Sequence, residues 1–136
     1  MLRSSSATML TCLVLALFSA GCGGGPPPGK IATATQSNFR TVVVDSKRPV
    51  LVEFWSHTCQ PCKVLEPHLE KLAEDHPELL VVKVNSDENE GLRDDLGVQL
   101  LPAMFVYQDG EIKRRKIGFD KPDELAELVS DYITSK

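Results

Sequence analysis

An α/β domain is the fold class this 136-residue chain predicts, and three observations carry that expectation. Short apolar runs alternate with amphipathic ones from Ile31 onward. The run Val50 to Lys63, VLVEFWSHTCQPCK, passes from an apolar strand straight into two cysteines three apart and then a helix pattern. An Asp-Gly pair further on sits between two strand-like runs and marks a hairpin. The length suits one domain of ordinary size and a short extension at the front, and no internal repeat is visible.

The elements follow in order. Phe39 to Val44 (FRTVVV) is ambiguous on local propensity, since its β-branched residues favour a strand while Phe39, Val42 and Val43 also fit a helical face behind a Ser37 cap. Val50 to Trp55 is strand-like. Cys62 to His76 reads as a helix with Leu65, Leu69, Leu72 and Ala73 on one face and Pro67 expected to kink it. Leu79 to Val84 is a second buried run, Glu88 to Leu96 a weaker helix ended by Gly97, and Ala103 to Tyr107 a third strand. Gln108-Asp109-Gly110-Glu111 has the chemistry of a hairpin turn because Asp-Gly tolerates positive φ, and it leads into a strand through Ile117. The chain closes with a helix: Pro122 suits its first turn, Asp123 and Glu124 suit its positive end, and Leu125, Leu128, Val129, Tyr132 and Ile133 form its apolar stripe.

The front of the chain is read as an export signal. After the lone charge Arg3, Met9 to Ala20 is apolar and too short to span a bilayer, which fits the h-region of a secretory signal. Ser19-Ala20-Gly21-Cys22 resembles the lipobox of bacterial lipoproteins, with Ser19 where that motif usually has leucine, and the resemblance implies cleavage before a lipidated Cys22. Gly23 to Lys30 is a glycine and proline segment that cannot build a core and reads as a tether reaching on the order of 15–25 Å. The expected organisation is a signal over 1–21, a lipidated terminus and tether over 22–30, and a domain over 31–136. The domain is then expected in the bacterial cell envelope, facing the periplasm or the exterior.

Of the four cysteines, Cys12 leaves with such a signal and Cys22 carries the lipid, so Cys59 and Cys62 remain within the domain, which excludes a scaffold stapled by several disulfides. The formal charge of −4 gives no basis for a nucleic-acid partner. A lone C-x-x-C tolerates a zinc ligand pair, a staple or a redox centre, and its place between strand and helix favours disulfide exchange. A copper or zinc site using His57, Cys59 and Cys62 is the metal alternative, although no second C-x-x-C or clustered histidine completes it. His68 and His76 read as ordinary helix-surface residues. Glu53, inside VLVEF, is the other candidate, because an ionised carboxylate in a central strand is costly without partners.

Taken together, Glu53-Phe54-Trp55, Cys59-x-x-Cys62-Lys63, Pro67, Lys83, Asp87, Leu101-Pro102, Gly110 and Gly118 resemble the thioredoxin family over about Ile31 to Ile133. The resemblance implies a central mixed β-sheet flanked by helices, and it resolves Phe39 to Val44 as a helix. It differs from the family's familiar Trp-Cys-Gly-Pro-Cys in having Thr58 and Gln60, and in a glutamate where aspartate is commoner.

The resemblance implies a Cys59–Cys62 redox disulfide and roles for its neighbours. Cys59 at the start of a helix is expected to be the nucleophile, since unpaired N–H groups and the macrodipole favour its thiolate. Cys62, more buried, is expected to resolve the mixed disulfide. Glu53 is expected to exchange a proton with Cys62, and Lys83 to modulate it. Pro61 fits a first helical turn and holds the sulfurs in register. Leu101-Pro102 resembles the family's cis-proline loop, with Leu101 a substrate contact, and Trp55, Gln60 and Gly118 are expected on the same surface.

A protein-disulfide oxidoreductase is thus the leading reading, monomeric, without cofactor or metal, exchanging disulfides with protein dithiol and disulfide substrates. A reductant is favoured over an oxidant because Gln60 and Pro61 are uncharged and Leu101 is aliphatic, and such a reductant needs a membrane-borne electron donor in an oxidising compartment. A binding module that uses the same surface without catalysis is the third class.

Overall fold

The structure, a computed structural model, describes residues 25–134. The expected signal, Cys12 and Cys22 lie outside the described residues.

Five strands form one mixed sheet in the order β1-β3-β2-β4-β5: β1 Ile31–Thr33, β2 Val50–Trp55, β3 Leu80–Asn85, β4 Ala103–Gln108 and β5 Glu111–Ile117. β1 and β2 flank β3 in parallel, with Ile31 opposite Val81 and Val50 opposite Leu80. β4 and β5 run antiparallel, placing Phe54 opposite Ala103 and Ala103 opposite Ile117. β2 is therefore central, and all its residues but Trp55 are buried.

The two faces carry separate cores, and strand alternation decides which residue joins which. Val50, Val52 and Phe54 pack with Phe39, Val43, Leu92, Phe105 and Tyr107 on one side. Leu51, Val81, Met104 and Val106 pack on the other under the helices α1 (Gln60–Asp75) and α3 (Pro122–Val129), against Leu65, Leu69, Leu125 and Leu128. Apolar residues in near-continuous runs, as in β2, are what a strand covered on both faces requires.

Most sequence expectations are met, with informative differences. α1 starts two residues earlier than its apolar pattern and runs without interruption through Pro67. The weak helix forms as α2, Glu90–Asp95, and Gly97 follows it at φ 67°. In the hairpin turn Asp109 and Gly110 both take positive φ, 54° and 78°. Phe39–Val44 is helical, a single wide turn over Arg40–Val44, but Ser37 does not cap it. Asn38 takes over the local hydrogen bonding there, accepting from the Thr35 N–H at 2.7 Å, while the Ser37 hydroxyl bonds only the Thr35 hydroxyl. α3 stops at Val129 and tightens into a final turn over Ser130–Tyr132, so Tyr132 and Ile133 reach the core from beyond the helix.

The described end of the expected tether lies against the domain. Arg48 donates to the Pro26 carbonyl at 2.7 Å and to the Pro77 carbonyl at 3.1 Å, fastening the proline segment beside the loops that precede β2 and β3. A proline carbonyl has no competing strand partner here, and a guanidinium supplies the donor. This pole of the sheet is opposite the one where β2 and β3 end.

Candidate active site

At the carboxyl end of β2 the chain turns through Ser56-His57-Thr58 into α1. The turn is held by the Cys59 N–H donating to the Ser56 carbonyl at 3.2 Å, and by a 3.2 Å bond between the Ser56 and Thr58 hydroxyls. Cys59 occupies the N-cap with extended backbone, where its sulfur accepts from the Cys62 N–H at 3.2 Å. Pro61 lies in the first turn, where a missing N–H costs nothing. One helical turn brings the two sulfurs together: Cys59 and Cys62 form a disulfide with Cα atoms 5.3 Å apart. They differ in exposure, with Cys59 partly open and Cys62 only 3 % accessible.

Glu53 shares the strand face of Leu51, and so lies beneath α1 rather than in the opposite core. Across the sheet its neighbours are Lys83 on β3 and Met104 on β4. It is fully buried, and neither carboxylate oxygen meets a hydrogen-bond partner in the protein. Burial raises its pKa to about 7; Lys83 offsets part of that rise, and the negative charge of Glu66 adds to it.

Lys83 does not turn to Glu53. Its ammonium bonds the Glu66 carboxylate at 2.5 Å and lies 4.6 Å from the centre of the Trp55 ring. His57 packs edge-on to that ring at 4.9 Å. Trp55 is thus bracketed by Lys83 and His57 at the end of β2, four residues before Cys59.

Leu101-Pro102 is a cis peptide bond, as the sequence resemblance implies. The Gly118 N–H donates to the Pro102 carbonyl at 2.8 Å, tying the end of β5 to this loop. Leu101 is half-buried, and Leu100 and Ile117 beside it are among the few large apolar side chains left exposed. Asn85 ends β3 opposite Trp55 in strand register. Its carbonyl accepts from Asn89, whose own side chain accepts from the Gln36 N–H, and its side-chain oxygen accepts from the Asp87 N–H.

The Thioredoxin family model matches residues 30–131. The chain belongs to the thioredoxin family. A thioredoxin from Chlorobaculum thiosulfatiphilum is 33% identical over 106 residues, covering 77% of this chain and 98% of that protein. One from Rickettsia felis is 33% identical over 100 residues, covering 73% and 95%. Among solved structures, a mutant thioredoxin from Halobacterium salinarum superposes with a TM-score of 0.72 at 31% identity, over 83% of this chain and 99% of that one. Thioredoxin F from spinach chloroplast gives 0.71 at 26%, over 76% and 87%.

As a member of the thioredoxin family with its cysteine pair at disulfide distance, the chain is a thiol–disulfide oxidoreductase whose substrates are protein disulfides. The structure brings Glu53, Trp55, Cys59, Gln60, Pro61, Cys62 and Lys83 to one end of the sheet, with the Leu101-Pro102 loop and Gly118 joined to each other at the end of β4 and β5. His57 belongs with them through Trp55. His76 is not the surface residue expected: it ends α1 with a side chain only 16 % accessible and bonds Glu78 at 3.2 Å. His68 packs on Phe119, 5.5 Å between ring centres. Glu66 is the residue that sequence reasoning missed. Its signal was its position four residues after Cys62, on the helix that covers the strand pair bearing Glu53 and Lys83. Among the described residues no three His, Cys, Asp or Glu side chains converge as a metal site.

Proposed function

We propose that this member of the thioredoxin family is a dithiol reductant of the bacterial cell envelope, exchanging disulfides through Cys59-Gln60-Pro61-Cys62. The observation that carries the chemistry is the asymmetry of the pair: Cys59 is partly exposed at the cap of α1, and Cys62 is buried one turn inside. The N-terminal end of a helix stabilises negative charge, so the reduced Cys59 favours its thiolate.

In the reducing direction the Cys59 thiolate attacks one sulfur of a substrate disulfide. A Cys59–substrate bond forms, the substrate S–S bond breaks, and the departing sulfur leaves as a thiolate that takes a proton from water. Glu53, ionised in part near neutral pH, accepts the proton of Cys62. The Cys62 thiolate then attacks Cys59, closing the intramolecular disulfide and releasing the second substrate sulfur as a thiolate. Two electrons have passed to the substrate, and the protein is left in the oxidised state seen in the structure. An extended substrate segment would lie along the Leu101-Pro102 loop, with Leu101, Trp55, Gln60 and Gly118 as its contacts, buried Pro102 shaping the loop and exposed Leu100 and Ile117 widening it.

The direction rests on the uncharged Gln60 and Pro61, which supply no charge to over-stabilise the reduced pair. In an oxidising compartment the cycle then needs a membrane-borne dithiol donor to restore Cys59 and Cys62. The location rests on the sequence of 1–22, with Cys22 as the lipidated residue, and the docking of Pro26 on Arg48 is compatible with it. An anchor upstream of Pro26 would leave from the pole opposite the cysteines, directing the disulfide away from the membrane.

The reduction potential of the pair tests the direction. Thioredoxins are known for about −270 mV and strong oxidants of the same fold for about −120 mV. A value near the first supports a reductant. One near the second makes the protein an oxidant.

A further inference from the structure

We propose that Glu66 is a positioning residue of the redox site: it anchors the Lys83 ammonium between the Trp55 ring and α1, and so controls when the buried Glu53 carboxyl gives up its proton. The inference rests on the reading of Glu53 as the proton partner of Cys62.

The geometry is a chain of three charged groups running outward from the core. Glu53 is fully buried without a hydrogen-bond partner, Lys83 faces it in strand register, and Glu66 holds Lys83 at 2.5 Å from the helix side. β3 brings Lys83, β4 brings the uncharged Met104, and α1 brings Cys62, buried at its first turn, and Glu66.

Lys83 has two possible anionic partners, and the one it takes decides the other's state. A lysine paired with Glu53 would hold it as a carboxylate of low proton affinity throughout the neutral range, a poor acceptor for the Cys62 proton. Paired with Glu66, its charge is largely neutralised, and burial dominates at Glu53. The Trp55 ring at 4.6 Å makes the arrangement directional: it keeps the ammonium near the site even when Glu66 is removed. Glu66 and Lys83 also line a cleft with Lys30 and Glu70, so the outer end of the chain faces solvent.

The test follows the Glu53 side-chain carboxyl by carbon NMR against pH in the full-length chain, for wild type, Glu66→Ala, Lys83→Met and the double variant. Glu66→Ala is expected to lower the Glu53 midpoint by about one pH unit, a roughly tenfold gain in ionisation, because Lys83 is released toward it. In the Lys83→Met background the same change is expected to move the midpoint by less than a third as much. An unmoved midpoint in Glu66→Ala overturns the proposal, and so does an equal shift in both backgrounds, which would mean a direct field from Glu66 without Lys83. Disulfide-reduction rates against pH on the same variants separate the two layers. If the midpoint moves through Lys83 while the rate profile stays fixed, Glu66 does control Glu53, and the proton-partner reading is what fails.

Discussion

Glu53 and Lys83 are direct neighbours across β2 and β3, yet the ammonium is bonded to Glu66 and both Glu53 oxygens are left without a partner. A buried carboxyl in that state is a cost to folding and a resource for chemistry at once. Its pKa of about 7 follows from burial first, with Lys83 opposing and Glu66 assisting.

Stability should therefore depend on pH in a defined direction. The folded protein binds the Glu53 proton more tightly than the unfolded chain, whose glutamate has the ordinary value of 4.5. The stability contribution is complete below about 4.5, is lost as pH rises through about 7, and then levels off. The difference is on the order of 3 kcal/mol. Denaturant titrations at pH 5 and pH 8 check it: Glu53→Gln is expected to flatten this slope and to be the more stable protein at pH 8. A wild-type stability that rises over the same interval contradicts it.

The core under α1 should be the most sensitive to truncation. Leu65 is fully buried between α1 and the sheet, on the same inner face of the helix as Cys62. Leu65→Ala is expected to cost about 2–5 kcal/mol in unfolding free energy, measured by urea titration. A loss below 1 kcal/mol would mean that α1 is less tightly seated than its burial indicates.

Gly110 is fixed by backbone and space together. It sits at φ 78°, and a Cβ there would stand 3.1 Å from the Val44 carbonyl oxygen. Gly110→Ala is expected to destabilise by about 1 kcal/mol or more, read as a lowered thermal midpoint. Activity per folded molecule should be unchanged, because the hairpin is remote from the cysteines.

Much of this architecture was legible because it obeys local rules. The apolar run of β2, the leucine face of α1 and the Asp-Gly turn each announce their element without help from the rest of the chain. β1 did not, since three residues carry no period and Ile31–Thr33 becomes a strand only by pairing with Val81–Lys83. Ser37 had the right chemistry for a cap, but its hydroxyl bonds back to Thr35 and no side chain caps the turn. The site divides the same way. Cys59, Cys62 and Glu53 stand out in one dimension, whereas Glu66 looks like any solvated helix glutamate until β3 brings Lys83 beneath it. The proline segment likewise reads as free tether, and only Arg48, distant in sequence, shows that Pro26 is held.

That attachment is testable. Arg48→Ala removes the donor to Pro26 and Pro77, and is expected to cost about 0.5–1.5 kcal/mol per bond lost. Proteolysis near residues 25–30 should accelerate, with the disulfide-exchange rate unaltered. Equal cleavage rates in both proteins would show that the contact does not hold the segment.

The central claim is the division of labour between the two cysteines, and one trapping measurement tests it most directly. Reduced Cys62→Ala and Cys59→Ala proteins are each mixed with a disulfide-bonded protein substrate, and covalent adducts are resolved on non-reducing gels. The asymmetry at the cap of α1 predicts that Cys62→Ala accumulates a mixed disulfide through Cys59, which reductant releases, while Cys59→Ala traps little or none. Adducts forming equally in both variants, or in Cys59→Ala alone, would contradict it.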